Sequence, residues 1–181
     1  MLIMRKKDIK SIQLIVVALA SALYFGMKAL PPQKAVGKAG EYFYVTRVVD
    51  GDTLKLSNGK KVRLIGVDTP ETYFSEKLVR DSKRSRKDIS VIQAMGKKSS
   101  AFTKDLCFNK KVRLEYDIEK RDRYGRWLAY VYLEDGTFVN AKILEEGYGQ
   151  VMTVPPNVRY AKRFLSLERD AREKVRGLWK E

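Results

Sequence analysis

Arg63-Leu64-Ile65-Gly66-Val67-Asp68-Thr69-Pro70-Glu71 decides how the rest of the chain is read. An apolar run carries an arginine in its middle and ends in a carboxylate, and Pro70 and a second carboxylate follow at once. Such runs, bounded by turn residues, read as strands. At the two-residue period of a strand, Arg63 shares its face with apolar Ile65 and Val67. A guanidinium there faces either a buried carboxylate or a phosphate held by paired hydrogen bonds.

Upstream, residues 42–49 are rich in aromatic and β-branched side chains and predict a strand. Asp50-Gly51 is a tight-turn signal, residues 53–56 a second strand, and Ser57-Asn58-Gly59-Lys60 a second turn. Residues 61–67 make the third strand of this meander. Downstream, Lys77, Arg80, Lys83, Arg84, Arg86 and Lys87 mark residues 73–91 as a basic loop. Val91, Met95, Phe102 and Leu106 then recur at near-helical spacing and predict a helix over about 91–107. Strands are expected at 111–117 and 127–133, and Asp135-Gly136 should turn into a short strand. A helix near 140–146 stops at Gly147. Tyr160, Phe164, Leu167, Ala171 and Val175 step by three and four along a last amphipathic helix, closed by Gly177 and an apolar Leu178-Trp179 clasp. The order predicts an α+β fold, a five-stranded OB-fold β-barrel with three helices.

The globular part is residues 41–181. Before it, basic Arg5, Lys6, Lys7 and Lys10 precede an almost wholly apolar run over residues 12–27. Residues 1–30 therefore read as a signal peptide or membrane anchor, with Ala20-Ser21-Ala22 resembling a cleavage site, and 31–40 as a linker opening on Pro31-Pro32. The expected location is extracytoplasmic, secreted or tethered to the membrane.

The chain has 181 residues and a net charge of +15, a balance that favours polyanions, either nucleic acid or an anionic lipid surface. It has no histidine and one cysteine, which excludes Ser-His-Asp and Cys-His mechanisms, ordinary zinc sites and an internal disulfide. Cys107 reads as core filler. What remains for chemistry is carboxylates, arginines, lysines and a hard cation such as Ca²⁺ or Mg²⁺.

Asp52 lies just past a turn and Asp68 at a strand end, and a meander brings those ends together. Two carboxylates in one pocket repel unless a cation intervenes, and the Thr69 carbonyl offers a third oxygen. A purely structural alternative exists: Asp50-Gly51 as a simple turn, and Asp68 with Glu71 as a helix capping box. Arg126, after Tyr124-Gly125, is either a phosphate ligand or a solvated turn residue. Taken together the groups meet the needs of phosphodiester hydrolysis, with Glu71 placed to orient or deprotonate water.

Three blocks, Asp50-Gly51-Asp52-Thr53, residues 63–72 and Asp122-Arg123-Tyr124-Gly125-Arg126-Trp127-Leu128-Ala129-Tyr130, closely resemble the signature blocks of the staphylococcal nuclease family. The likeness includes Ser100-Ala101-Phe102-Thr103-Lys104, Val139-Asn140 and Gly177-Leu178-Trp179. The resemblance implies Ca²⁺-dependent cleavage of DNA and RNA leaving 3′-phosphates. It makes Asp52, Asp68 and the Thr69 carbonyl calcium ligands, with Asp50 supporting them from behind. Arg63 and Arg126 become a phosphate clamp and Glu71 the general base, while Arg123 and Tyr124 touch the nucleotide. Two departures stand out. Residues 151–156 lack the tyrosines that pack on nucleotide in the staphylococcal enzyme, and the 73–91 loop is longer and more basic. That loop is either a grip on the substrate backbone or a solvated insertion. The competing readings are a catalytically weak nucleic-acid-binding OB-fold module, and a membrane-surface protein whose charge serves lipid. No protein partner is expected, and the chain reads as a monomer.

Overall fold

Alternation of buried apolar and outward-facing side chains turns the first three strands into one wall of a barrel. The computed structural model describes residues 41–180, and within them β1 (Tyr42–Asp50), β2 (Thr53–Leu56) and β3 (Lys61–Leu64) form the expected antiparallel meander. Phe43, Val45, Leu54, Leu56, Val62 and Leu64 point inward and are buried, whereas Tyr42, Tyr44, Lys55 and Lys61 face water. β5 (Lys111–Glu115) and β6 (Trp127–Leu133) complete a closed five-stranded barrel in the order β1-β2-β3-β6-β5. β3 and β6 run parallel and every other barrel pair is antiparallel. This is the OB-type order, and closure leaves no free sheet edge. Tyr130, Phe138, Tyr160 and Phe164 form an aromatic cluster in the core, with ring centroids 4.6–6.2 Å apart.

The third strand does not run unbroken from 61 to 67. β3 ends at Leu64, the chain turns at Ile65, and β4 (Gly66–Asp68) leaves the barrel to pair antiparallel with β7 (Gln150–Met152), a strand that no sequence signal marked. Three contacts impose the turn. Gly66 has φ 78°, where a side chain is strained, and a Cβ there would stand 2.6 Å from the Phe164 ring. Asn140, fully buried, donates to the Ile65 carbonyl at 2.9 Å and accepts from Val131 N–H at 2.9 Å.

Residues 73–91 are not a loop. They contain α1 (Glu76–Ser85), whose start is capped by Ser75 Oγ accepting from Leu78 N–H at 3.1 Å. The barrel therefore carries four helices and not three: α1, α2 (Ile89–Cys107), α3 (Val139–Glu145) and α4 (Ala161–Glu173), followed by a 3₁₀ turn at Gly177–Lys180. The segment after Gly136 makes a single bridge, Phe138 to Tyr132, in place of a strand. Cys107 is fully buried and donates to the Thr103 carbonyl; burial pushes its thiol up to about 12, so it is core filler. The signal or anchor at 1–30 and the linker at 31–40 lie outside the described residues. Among the described residues no helix is long and apolar enough to cross a membrane.

Replacing Asn140 with Ala orphans the Val131 N–H and the Ile65 carbonyl inside the core. The expected loss is about 1–3 kcal/mol for each orphaned group, measured by urea unfolding. An unchanged midpoint would show that Asn140 does not hold the β3–β4 turn.

Candidate active site

The β1–β2 turn delivers the first carboxylate. Asp50 Oδ1 accepts from the Asp52 backbone N–H at 3.3 Å, and Asp52 itself is only 5% exposed. Asp52 Oδ1 accepts from Thr53 Oγ1 at 3.0 Å, and Oδ2 accepts from the Thr69 N–H at 2.9 Å and Thr69 Oγ1 at 3.2 Å. These bonds sew the turn to the end of β4.

Strand register supplies the arginine. Arg63 lies opposite Thr53 across β2–β3, which sets its guanidinium beside Asp52. Its Nη1 is ion-paired with Asp52 Oδ2, and its Nη2 donates to Asp68 Oδ1 at 2.9 Å. Of the two partners open to Arg63 in the sequence, the structure shows the carboxylates. One guanidinium bridges both.

α1 delivers a side chain that the sequence reading passed over. The Lys77 ammonium lies 3.0 Å from Glu71 Oε1, 3.1 Å from the Thr69 carbonyl and 3.2 Å from Asp68 Oδ1, with Asp81 Oδ2 at 3.7 Å. The signal that would have found it is the cap: Ser75 followed by Glu76 is an N-terminal signature, and a helix starting there puts Lys77 in its first turn beside Glu71.

α2 forms the floor. Thr103 Oγ1 donates to the Gly51 carbonyl at 2.8 Å. Gly51 meets α2 and Thr69 so closely that a Cβ would lie 2.8 Å from Ser99 Cβ and from the Thr69 side chain. A Cβ on Gly96 would lie 2.6 Å from the Glu71 carbonyl oxygen and 2.7 Å from that of Pro70. A glycine inside a helix weakens it by propensity, but here Gly96 lets the helix lie directly under the Pro70-Glu71 backbone.

Electrostatics separate the acids. Burial dominates at Asp50 and, with Asp52 alongside, pushes its pKa from 3.8 up to about 7. Burial also opposes ionisation of Asp52, but Arg63 and hydrogen bonds from Asp50 and Thr69 outweigh it and hold this group below the usual range. Asp68 is raised, because its burial outweighs the pull of Lys77 and Arg63. Lys77 is raised despite its burial, since Asp68 and Glu71 stabilise its charge.

The turn before β6 is a unit of its own. Asp122 Oδ1 accepts from the Tyr124 and Arg126 N–H groups at 2.9 and 3.0 Å, and Arg126 Nε donates to Asp122 Oδ2 at 2.6 Å. Arg123 donates to the Tyr124 hydroxyl at 2.6 Å and covers its ring. Among the described residues neither Arg123 nor Arg126 is ion-paired with the Asp52–Asp68 cluster. Tyr124 is 68% exposed, and so are Tyr73 (66%) and Phe74 (74%), two rings next to Glu71 that the sequence reading did not single out.

Among the described residues no three acidic, histidine or cysteine side chains converge on one point as a metal site. The donors that do converge are two carboxylates and a backbone carbonyl. Asp68, the Thr69 carbonyl and Glu71 already surround one cation, the Lys77 ammonium, at 3.0–3.2 Å. An all-oxygen set that gathers an ammonium also suits a hard divalent cation.

The chain has clear relatives. A family profile described as staphylococcal nuclease homologue matches residues 61–181. A thermonuclease of Staphylococcus intermedius is 41% identical over 143 residues, 77% of this chain and 77% of that protein. A thermonuclease of Staphylococcus hyicus is 40% identical over 154 residues, 82% of this chain and 83% of that protein. The endonuclease YncB of Bacillus subtilis (strain 168) is 39% identical over 138 residues, 74% of this chain and 59% of that protein.

Two outcomes are expected from this geometry. Gly96→Ala forces backbone apart beneath Glu71 and should cost about 1–3 kcal/mol by overpacking, measured by urea unfolding; full stability would show that the helix has room to move. Asp50 keeps its proton in the folded state up to about pH 7, whereas the unfolded chain loses it near 3.8. The folded state therefore binds more protons in that window, and stability falls as pH rises through it, by at most about 1.4 kcal/mol per pH unit for one group. Asp50→Asn should flatten that fall; an unchanged pH profile would place the proton elsewhere.

Proposed function

The chain belongs to the staphylococcal nuclease family, and from that membership and the geometry of its site we propose that it is a calcium-dependent nuclease, a phosphodiesterase and endonuclease that cuts DNA and RNA to products with 3′-phosphates. The observation that carries this reading is that Asp52 and Asp68 meet on Arg63 while Asp68, the Thr69 carbonyl and Glu71 meet on one further cation, Lys77.

In this reading Asp68 and the Thr69 carbonyl hold the calcium ion with Asp52, and Asp50 supports Asp52 through its backbone N–H. The bound cation supplies positive charge to the phosphoryl oxygens. Arg63 contributes guanidinium donors beyond the two N–H groups it spends on the carboxylates, and Arg126 approaches from the turn before β6. Together they offset the charge that grows on the phosphoryl group. Glu71 accepts a proton from the attacking water. The water oxygen bonds to phosphorus, the bond from phosphorus to the 5′-oxygen breaks, and that oxygen takes a proton from solvent, to which Glu71 then gives up the proton it accepted. The 3′-phosphate stays on the other fragment.

Substrate binding draws on the net charge of +15, so it should weaken steeply with salt. Arg123 and Tyr124 touch the nucleotide. Tyr73 and Phe74 supply exposed rings for bases where residues 151–156 carry no tyrosine, and each stacked base is worth about 1–3 kcal/mol. A location outside the cytoplasm, secreted or held at the membrane, is part of the proposal and is supported by the basic and apolar sequence of residues 1–30 alone.

The deciding experiment is hydrolysis of single-stranded DNA by the purified full chain with Ca²⁺, with Mg²⁺ and with a calcium chelator. Cleavage with Ca²⁺ that the chelator abolishes, leaving 3′-phosphate ends, is expected. Salt-sensitive binding without cleavage in either metal would favour the binding-module reading instead. Glu71→Gln and Arg126→Ala should each slow cleavage by roughly 10²–10⁴ while circular dichroism stays unchanged. Cleavage at the parent rate by both would overturn the site assignment.

A further inference from the structure

α1 is the element that sets this chain apart from its sequence expectation, and its Lys77 side chain lands on the site's oxygens. Lys77 Nζ uses Asp68 Oδ1, the Thr69 carbonyl and Glu71 Oε1 together, at 3.2, 3.1 and 3.0 Å. Two of these oxygens, on Asp68 and Thr69, belong to the set proposed to hold calcium, and the third is on the carboxylate proposed to act on water. Calcium binds oxygen at about 2.3–2.6 Å and takes several oxygens at once. An ammonium and a divalent cation cannot both use the Asp68 oxygen and the Thr69 carbonyl, because two like charges that close repel strongly in a half-buried site. Asp68 Oδ1 also accepts from Arg63 Nη2 at 2.9 Å, so that oxygen carries two cationic donors already.

The way α1 is held suits a part that comes and goes. Its only fully buried side chain is Leu78, next to Lys77. Its other tie to the site is the Lys77 ammonium, which also reaches Asp81 one turn on at 3.7 Å. Apart from the half-buried Val79 the rest of the helix is polar, and it carries Arg80, Lys83 and Arg84.

We propose that Lys77 is a tethered competitor for the calcium position: its ammonium must leave Asp68 and the Thr69 carbonyl before these take a divalent cation, so α1 sets the calcium affinity of the site. The proposal rests on the reading that Asp68 and Thr69 are calcium ligands. It gives the inserted helix a defined part: calcium entry frees Glu71 from Lys77 and loosens the first turn of α1 in the same event. The ammonium does not replace the metal, because while it is in place it occupies Glu71 as well.

The test is Ca²⁺ binding to the full chain by titration calorimetry, comparing the parent with Lys77→Met and Lys77→Gln, each checked for fold by circular dichroism. The dissociation constant should fall at least about tenfold in both variants, and hydrogen exchange in residues 76–85 of the parent should speed up when Ca²⁺ is added. Equal or weaker Ca²⁺ binding in folded variants overturns the proposal and leaves the calcium-site reading intact. Unchanged exchange in 76–85 on calcium binding also overturns it. If neither parent nor variants bind Ca²⁺, the calcium-site reading fails and the proposal with it. Cleavage by the parent in chelator that Lys77→Met lacks would show the ammonium acting in place of a metal, the opposite of what is proposed.

Discussion

The site depends on one guanidinium that bridges two carboxylates. Arg63 pairs with Asp52 from the β1–β2 turn and with Asp68 at the end of β4, and it is nearly buried. A buried charge is tolerated only when it is paired and hydrogen-bonded, and removing one partner of such a pair costs about 3–5 kcal/mol. The barrel meets that condition by register. Pairing Thr53 with Arg63 puts the arginine beside Asp52, and the turn at Ile65 swings Asp68 round to the same guanidinium. The candidate site groups are thus also the joints that fix the strand ends.

The second constraint is close approach. α2 lies against both acidic segments because Gly51 and Gly96 have no side chain where backbone and helix meet. Thr103 then holds the Gly51 carbonyl, and Asn140 holds that of Ile65. Each site segment therefore has a rigid element beneath it. A constellation meant to stabilise a developing charge works best when it is fixed in advance, since it then spends nothing on rearranging at the moment of reaction. Over this rigid base sits α1, held by Leu78 and by the charge contacts of Lys77. The Lys77 ammonium is thus the part of the site with the least packing behind it, while the oxygens it touches sit on segments braced by α2 and the barrel.

Much of this was legible in the sequence. The meander, the helix from about 91 to 107, the strand from 127 to 133 and the last amphipathic helix follow from periodicity, because burial on one face leaves a repeating mark. Asp52, Arg63, Asp68 and Glu71 stand out because charged groups beside apolar strands and turns need a partner, and Thr69 because its carbonyl follows Asp68 directly. The rest was not legible for physical reasons. The break at Ile65 leaves no periodic trace; it comes from the Phe164 ring and the Asn140 amide, each more than seventy residues away in sequence. α1 read as a loop because one buried leucine in a charged segment makes no stripe, and only its Ser75 cap marks it.

What the sequence by itself determined is the chemistry available: no histidine, one buried thiol, a strong positive charge, and carboxylates and arginines at the ends of alternating strands. It also marked the barrel strands, since a period-two pattern buries one face of each strand. Only the tertiary structure decided that Arg63 faces carboxylates, that Gly96 lies under Glu71, and that Lys77 sits among the oxygens of Asp68, Thr69 and Glu71. Those are contacts between segments brought together by folding. Their strength depends on distances of a few ångströms that no local pattern encodes.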